Sequence, residues 1–407
     1  MLRPTAALLA LALAFSATPA RALAPIGLDE AVKQALAQNP QLMAAERQVE
    51  AAQAREVQAA ALPNPNLKLS ADSIRLGSSG GDYKAGLSQP LLLGGQRAAR
   101  TEVAKLDKAL AEFERAVLRQ DLEARVKEAY ARVLFEQEGL AFAKGNADAA
   151  QAHLRASQIL VKAGEVPQVE ALRAELDLSR AQRAVASSEG RVADALGRLN
   201  VLLGRKAEEP LAIQALPIPK LTSLPPVAQL VATSLERRPE LSQAEANVQR
   251  ETLLRRVALS GMWTGAEIEV GGGLSDGSPA IGASLTLPMP FYRQQGEVAE
   301  AEANRARAEA QRDQLRNEIS LEVARAHREA TLAADQAGRY QQAYLPQAER
   351  LLDNAQRRFR AGEGSGLEVI EARRALFETQ TGYQQALLDF RLAIASLERA
   401  TGSELTR

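Results

Sequence analysis

The amino-acid sequence predicts a mainly α-helical chain with a small β part, made of two copies of one pattern. An internal repeat of about 198 residues points to it, as do four segments of apolar–polar alternation and helical stretches far longer than a globular core needs. The repeat is anchored by landmarks that generic helix would not hold in register. "AQNPQL" (37–42) echoes "ERRPEL" (236–241), "LSQPLLLGGQR" (87–97) echoes "LTLPMPFYRQQG" (285–296), and "KAGEVPQVEAL" (162–172) echoes "RAGEGSGLEVI" (360–370). Pro40 and Pro239 stand 199 residues apart, Pro90 and Pro288 198, and Gly164 and Gly362 198.

Each copy reads as a helix, two strands and two very long helices. Residues 23–204 form the first copy, the Pro-rich stretch 205–226 joins the halves, 227–402 form the second, and 403–407 are a tail. In the first copy a helix from Leu42 to Ala61 stops at Pro63 and Pro65, which cannot continue it. In "NLKLSAD", Leu67, Leu69 and Ala71 alternate with Lys68, Ser70 and Asp72. After a Gly-rich turn, "YKAGLSQPL" sets Tyr83, Ala85 and Leu87 against Lys84, Gly86 and Ser88 and ends at Pro90. The second copy repeats this with "AEIEVGGGL", a "SDGSP" turn and "AIGASLTLP", where Ile281, Ala283, Leu285 and Leu287 oppose Gly282, Ser284 and Thr286. Period-two alternation in four such segments is the pattern of outer-membrane strands. Pro288 and Pro290 fall where the last strand gives way to helix.

Gln96–Lys162 runs 67 residues without proline, roughly 100 Å as one unbroken helix. In the second copy Val323, Ala326, Ala330, Ala333, Ala337, Tyr340, Tyr344, Ala348, Leu351, Ala355 and Phe359 recur at steps of three or four. That is a narrow apolar stripe on a polar rod, and its small residues allow close helix approach. Pro346 interrupts the rod and predicts a kink or a local loss of hydrogen bonding. "AGEV" and "AGEGSG" end the rods with glycine suited to a helix C-terminus, and the chain reverses into 168–203 and 367–400.

Composition narrows the function. With 50 basic and 50 acidic residues, no net charge points to nucleic acid. There is no cysteine, and His153 and His327 are the only histidines, so a nitrogen- or sulfur-ligated metal site is not expected; no cofactor is expected either. No G-x-S-x-G nucleophile elbow, phosphate loop or H-E-x-x-H appears, which argues against an enzyme: the G-x-S-x-G strings at 77–81 and 273–277 fall in turns between paired strands, not between a strand and a helix. Residues 1–22 read as a secretory signal: Arg3, an apolar run from Ala6 to Phe15, and an A-x-A site at Ala20-Arg21-Ala22. An exported chain with no apolar run of membrane-helix length enters a membrane only as a barrel. Four strands cannot close one. Two chains would give eight strands, largely filled by side chains; three would give twelve, wide enough for an aqueous lumen. Trp263 before one strand, with Phe291 and Tyr292 after its partner, would mark a single membrane boundary.

On "NPQLMAAERQVEAAQAREVQAAALPNPNLKL", the two strand-exit motifs and "RFRAGEGSGLEVIEARRAL", the mature chain resembles the TolC-like outer-membrane efflux proteins. "ALPNPNLKL", "LSQPLLLGGQR" and "LPMPFYRQQGEVAEA" are most similar to the CzcC-like branch, although "FYRQQG" departs from that branch's usual run. The resemblance implies a homotrimer with a twelve-stranded β-barrel continued by a periplasmic α-helical barrel. It implies an exit duct for heavy-metal cations, working with a periplasmic adaptor (membrane fusion) protein and an inner-membrane resistance-nodulation-division pump. The alternatives are a duct for drug efflux or type I protein secretion and, in another class, a periplasmic adaptor or structural coiled coil. An adaptor would need one hairpin flanked by soluble β domains, and a coiled coil would not need four amphipathic strands. The resemblance makes Gly164, Glu165 and Val166, with Gly362, Glu363, Gly364 and Ser365, the tips that meet the adaptor. Glu368 and Glu371 match a family position for acidic residues facing the narrow aperture, where acids gathered by threefold symmetry would attract cations.

Overall fold

A computed structural model describes residues 24–72, 82–217, 224–261, 264–275, 278–289, 294–361 and 363–405. The first copy contains α1 (Leu28–Gln38), α2 (Pro40–Ala60), β1 (Asn66–Asp72), β2 (Asp82–Pro90), α3 (Gln96–Lys162) and α4 (Gln168–Leu202). The second contains α5 (Val227–Arg237), α6 (Pro239–Ser260), β3 (Glu267–Ser275), β4 (Ser278–Thr286), α7 (Gln294–Arg339), a π-helical turn (Tyr340–Tyr344), α8 (Leu345–Arg360) and α9 (Gly366–Thr401).

Each copy opens with two helices where the sequence pattern had suggested one. The break is made by the first repeat landmark. Asn39 leaves the helix, its Oδ1 accepts from the Gln41 N–H at 2.9 Å, and Pro40 starts α2, where a missing N–H costs nothing. The Asn39 amide also donates to the Leu202 carbonyl at 2.9 Å, fastening this corner to the end of α4. In the second copy Arg238 takes the place of Asn39, before Pro239. Its buried guanidinium bonds Glu240 at 2.6 Å and also pairs with Glu322 on α7.

The apolar core lies where these short helices strap the long ones. Leu122, Val126, Tyr130 and Val133 of α3 pack with Leu199 of α4 and with Ala31 and Ala35 of α1. The second copy repeats the arrangement with Ile319, Val323 and Ala330 of α7, Phe390 and Leu397 of α9, and Leu230 of α5. Tyr130 is fully buried, and its hydroxyl lies 2.6 Å from the Gln214 carbonyl and 2.9 Å from that of Ile26. It ties the N-terminal segment to the connector, where Ile26 and Ile213 form a parallel bridge. Ion pairs join the copies, Lys127 with Glu398 and Arg399 with Asp121, each at 2.6 Å, and Arg399 also pairs with Glu322 of its own copy at 2.8 Å.

Away from this belt the rods pack through alanine. Ala143, Ala150, Ala174 and Ala181 are buried in the α3–α4 hairpin, and Ala348, Ala355 and Ala372 between α8 and α9. α3 lies against α4 on one side and α9 on the other, and α9 carries α7 and α8. The expected stripe holds from Val323 to Ala337, all buried, but Leu351 is half exposed and Leu352 packs in its place beside Ala355 and Phe359. A π-helical turn, Tyr340–Tyr344, lies just before Pro346, and beyond it Ala348, Ala355 and Phe359 keep their expected places.

The four strands form one antiparallel sheet in the order β1-β2-β3-β4, with β1 and β4 as its edges. The register sets Leu67 opposite Leu87, Leu87 opposite Val270 and Val270 opposite Ala283. One face is therefore apolar across all four strands.

Candidate functional site

Two regions carry the chain's functional features: the sheet and the far ends of the two hairpins. On the sheet's apolar face Leu67, Leu69, Tyr83, Leu87, Val270, Leu285 and Ile281 are all exposed, Ile281 at 91%. An apolar surface of this kind, shared by every strand of an open sheet, marks contact with lipid or another protein. The opposite face carries Lys68, Ser70, Gly86, Ser88, Glu267, Glu269, Gly271 and Gly282, alternating as the pleat requires. Among the described residues no helix is long and apolar enough to cross a membrane.

The junction prolines lie where the strands end. Pro63 and Pro65 occupy the irregular link between α2 and β1, Pro90 is the last residue of β2, and Pro288 follows β4. Pro290, Trp263, Phe291, Tyr292 and residues 1–22 lie outside the described residues.

The α3–α4 end is a tight reversal. Gly164 sits at φ +77°, its N–H donates to Val161, and the Glu165 N–H donates back to Leu160, each at 3.0 Å. This pair of bonds closes the helix and needs a residue tolerant of positive φ. Glu165 is exposed and Val166 half-buried. At the α8–α9 end the Glu363 N–H donates to Arg358 at 2.9 Å, and the Ser365 hydroxyl caps α9 by accepting from the Glu368 N–H at 3.3 Å. Gly364 is half-buried, and Gly362 lies outside the described residues.

The structure brings these two ends together through residues the sequence did not single out. His153 of α3 is buried against Phe359 of α8, ring centroids 5.6 Å apart. A Cβ at Gly366 would stand 2.8 Å from Glu170 Oε2 and 3.7 Å from the imidazole. Two turns on, the buried Arg373 of α9 pairs with Asp177 of α4. Burial, and then the Arg373 charge, push the His153 pKa down against the pull of Glu170. Nothing in "EARRAL" separates Arg373 from ordinary surface arginines, so only the packing reveals this knot.

Glu368 and Glu371 lie one turn apart near the start of α9. They are not equivalent. Glu368 is paired with Arg358 at 3.1 Å. Glu371 is exposed, and among the described residues no cation of its own protomer pairs with it. Among the described residues no group of three or more His, Asp or Glu side chains could hold a metal ion.

The family model for "outer membrane efflux protein" matches residues 31–205 and 230–403, one span in each copy. The chain is 28% identical to the cobalt-zinc-cadmium resistance protein CzcC of Cupriavidus metallidurans, over 94% of this chain and 92% of that protein. It is also 28% identical to the pyoverdine export outer membrane protein OpmQ of Pseudomonas aeruginosa, over 92% and 85%. The fold is shared with the crystal structure of CusC, at a TM-score of 0.78, 20% identity and 92% of each chain. It is shared too with VceC of Vibrio cholerae, at 0.74, 18% identity, 92% of this chain and 96% of that one. With both copies matched, the chain belongs to the outer membrane efflux protein family.

Proposed function

We propose that three copies of this chain form the exit duct of a tripartite resistance-nodulation-division system in a Gram-negative outer membrane, and that the duct releases heavy-metal cations. The observation that carries this reading is the open four-stranded sheet, apolar on one face and polar on the other, with long rods leading away from its prolines. Unpaired edges are excluded from lipid, so β1 of one copy must pair with β4 of the next. Three copies give twelve strands around an aqueous lumen, with the polar faces inward. Residues 1–22 are removed on export, and residues 205–226 join the two copies of the pattern. Trp263, Phe291 and Tyr292 lie at the membrane boundary on this reading.

The rods extend into the periplasm. The tips at Gly164–Val166 and Gly362–Ser365 meet an adaptor, which connects the duct to an inner-membrane pump. Glu371, with Glu368 beside it, lines the narrow end and favours cations. Likeness to the cobalt-zinc-cadmium resistance protein over nearly the whole chain supports a metal cargo. Likeness to the pyoverdine export protein supports a second reading, the same duct with an organic cargo.

Two measurements test this. The protein should fractionate with the outer membrane as a heat-resistant trimer that conducts ions in planar bilayers; a soluble monomer would refute the duct. A deletion strain should become sensitive to zinc, cobalt, cadmium or copper. Unchanged metal tolerance together with impaired siderophore release would move the assignment to the second reading.

A further inference from the structure

We infer that Lys68 is a built-in counter-cation: it fills a pair of carboxylates at the periplasmic mouth of the barrel that would otherwise retain divalent cargo. The inference rests on the duct reading above. Glu267 and Glu269 lie two apart on β3 and so point to the same polar face. Lys68 belongs to β1, with β2 between. Its Nζ nevertheless reaches both acids, 2.7 Å from Glu267 Oε1 and 3.1 Å from Glu269 Oε2. The crossing is possible because, between Lys68 and Glu269, β2 presents only the small residues Gly86 and Ser88 on that face. A Cβ at Gly86 would already stand 3.4 Å from Glu269 Oε1, so the glutamate leans over the bare glycine toward β1. One ammonium thus sits where two carboxylates converge.

The position gives the arrangement a purpose. Asn66 begins β1 and Glu267 begins β3, so the cluster lies at the end of the sheet from which the helices lead off. Every exported ion passes it. Two convergent carboxylates with no cation between them make a weak oxygen site, with dissociation constants of about 10⁻⁴–10⁻³ M for hard divalent ions. A duct needs binding weak enough to leave. A tethered ammonium competes at an effective concentration on the order of millimolar or more, because it cannot diffuse away. Lys68 therefore keeps the pair occupied while leaving the lumen acidic enough to admit cations. Each protomer keeps two acids against one base in the cluster.

The test uses the detergent-purified trimer and Mn²⁺, whose free ion is read by electron paramagnetic resonance. Lys68→Gln should bind about three Mn²⁺ per trimer that the unmodified protein does not bind. Half-occupancy should come at free Mn²⁺ at least about tenfold lower than for any residual uptake by the unmodified trimer. Adding Glu269→Gln should remove those sites, and Lys68→Arg should not create them. Lys68→Met repeats the test if Lys68→Gln fails to assemble. Equal Mn²⁺ binding by Lys68→Gln and the unmodified protein, both trimeric and conducting, overturns the inference and leaves the duct intact. If the unmodified protein is neither trimeric nor conducting, it is the duct reading that fails.

Discussion

Ile281 and Gly282 are neighbours on β4 with opposite fates if the sheet lies in a membrane. Ile281 is on the apolar face at 91% exposure, while Gly282 is on the polar face with no atom within 4 Å of a Cβ built on it. Both stand near the middle of a nine-residue strand, and so near the bilayer midplane. A lysine on the lipid face at that depth costs about 2–4 kcal/mol. A trimer carries three, so Ile281→Lys should destabilise the assembled barrel by roughly 6–12 kcal/mol, enough to prevent insertion. Gly282→Lys points a charge into water and should stay within about 0.5 kcal/mol per copy, as other surface changes do. The assay is assembly into lipid vesicles, followed by gel mobility of the unheated trimer and by urea titration. Ile281→Lys should give no trimer and Gly282→Lys a normal one. If both variants assemble alike, the apolar face does not meet lipid, and the barrel, the duct and the orientation of the lumen fall together.

If Glu368 and Glu371 line the aperture as proposed, then, because Arg358 already offsets Glu368, Glu371→Lys should lower cation selectivity in planar bilayers more than Glu368→Lys; the reverse order would remove Glu371 from the aperture. Asp177→Asn strands the buried Arg373. Losing one partner of such a pair costs about 3–5 kcal/mol; with Asp177 17% exposed the low end applies. Hydrogen exchange near the tips should then quicken by about 100-fold, and unchanged protection would show that the pair bears no load. His153 gives a pH dependence of known sign. Its pKa is lowered in the fold, so the stability it contributes is present above the ordinary value near 6.5 and is lost as pH falls from there through the lowered folded value. Thermal unfolding followed by circular dichroism should therefore lose more between pH of about 7 and 5.5 in the unmodified protein than in His153→Gln. Equal losses would exclude His153 as the titrating group.

Much of this architecture could be read from residue order because its signals are local. The Gly94–Gly95 turn before α3 and the Ala163–Gly164 pair after it bound a proline-free run, and α3 spans that run, Gln96 to Lys162. Strand faces followed from alternation alone, since a pleat leaves no choice once one face is apolar. The misses were matters of register or of distance along the chain. α1 is an 11-residue helix whose Ala31 and Ala35 are buried, and its short period was overshadowed by the proline landmark beside it. Leu351 gives way to Leu352 because steps of four, three and four from Ala348 to Phe359 fit a helix as well as three, four and four, so spacing alone does not choose between adjacent leucines. The knot of His153, Glu170, Asp177, Phe359 and Arg373 joins residues up to 220 positions apart, so its members look like ordinary surface or stripe residues until the hairpins are packed together.

The same separation of local from distant information explains why the chain must assemble. Around the rods the order is α4, α3, α9, then α7 and α8, so α4 and the α7–α8 rod form two flanks that are not packed along each other within the protomer. Both flanks expose apolar side chains: Val169, Leu172 and Leu176 on α4, and Leu332, Tyr344 and Leu351 along α7, the π-helical turn and α8. The sheet is open in the same sense, with β1 following α2, which packs on α3, and β4 leading into α7. A head-to-tail contact that pairs β4 with the next β1 therefore brings the α7–α8 flank toward the next α4 flank. Contacts of this kind end either in a ring or in an open filament. The fixed hand of strand twist and tilt makes a closed barrel the outcome in lipid, where an unpaired strand edge is not tolerated. One rotation thus completes both the sheet and the rods. In such a ring the apolar α4 residues, left bare in the protomer, would become the seam of the tube.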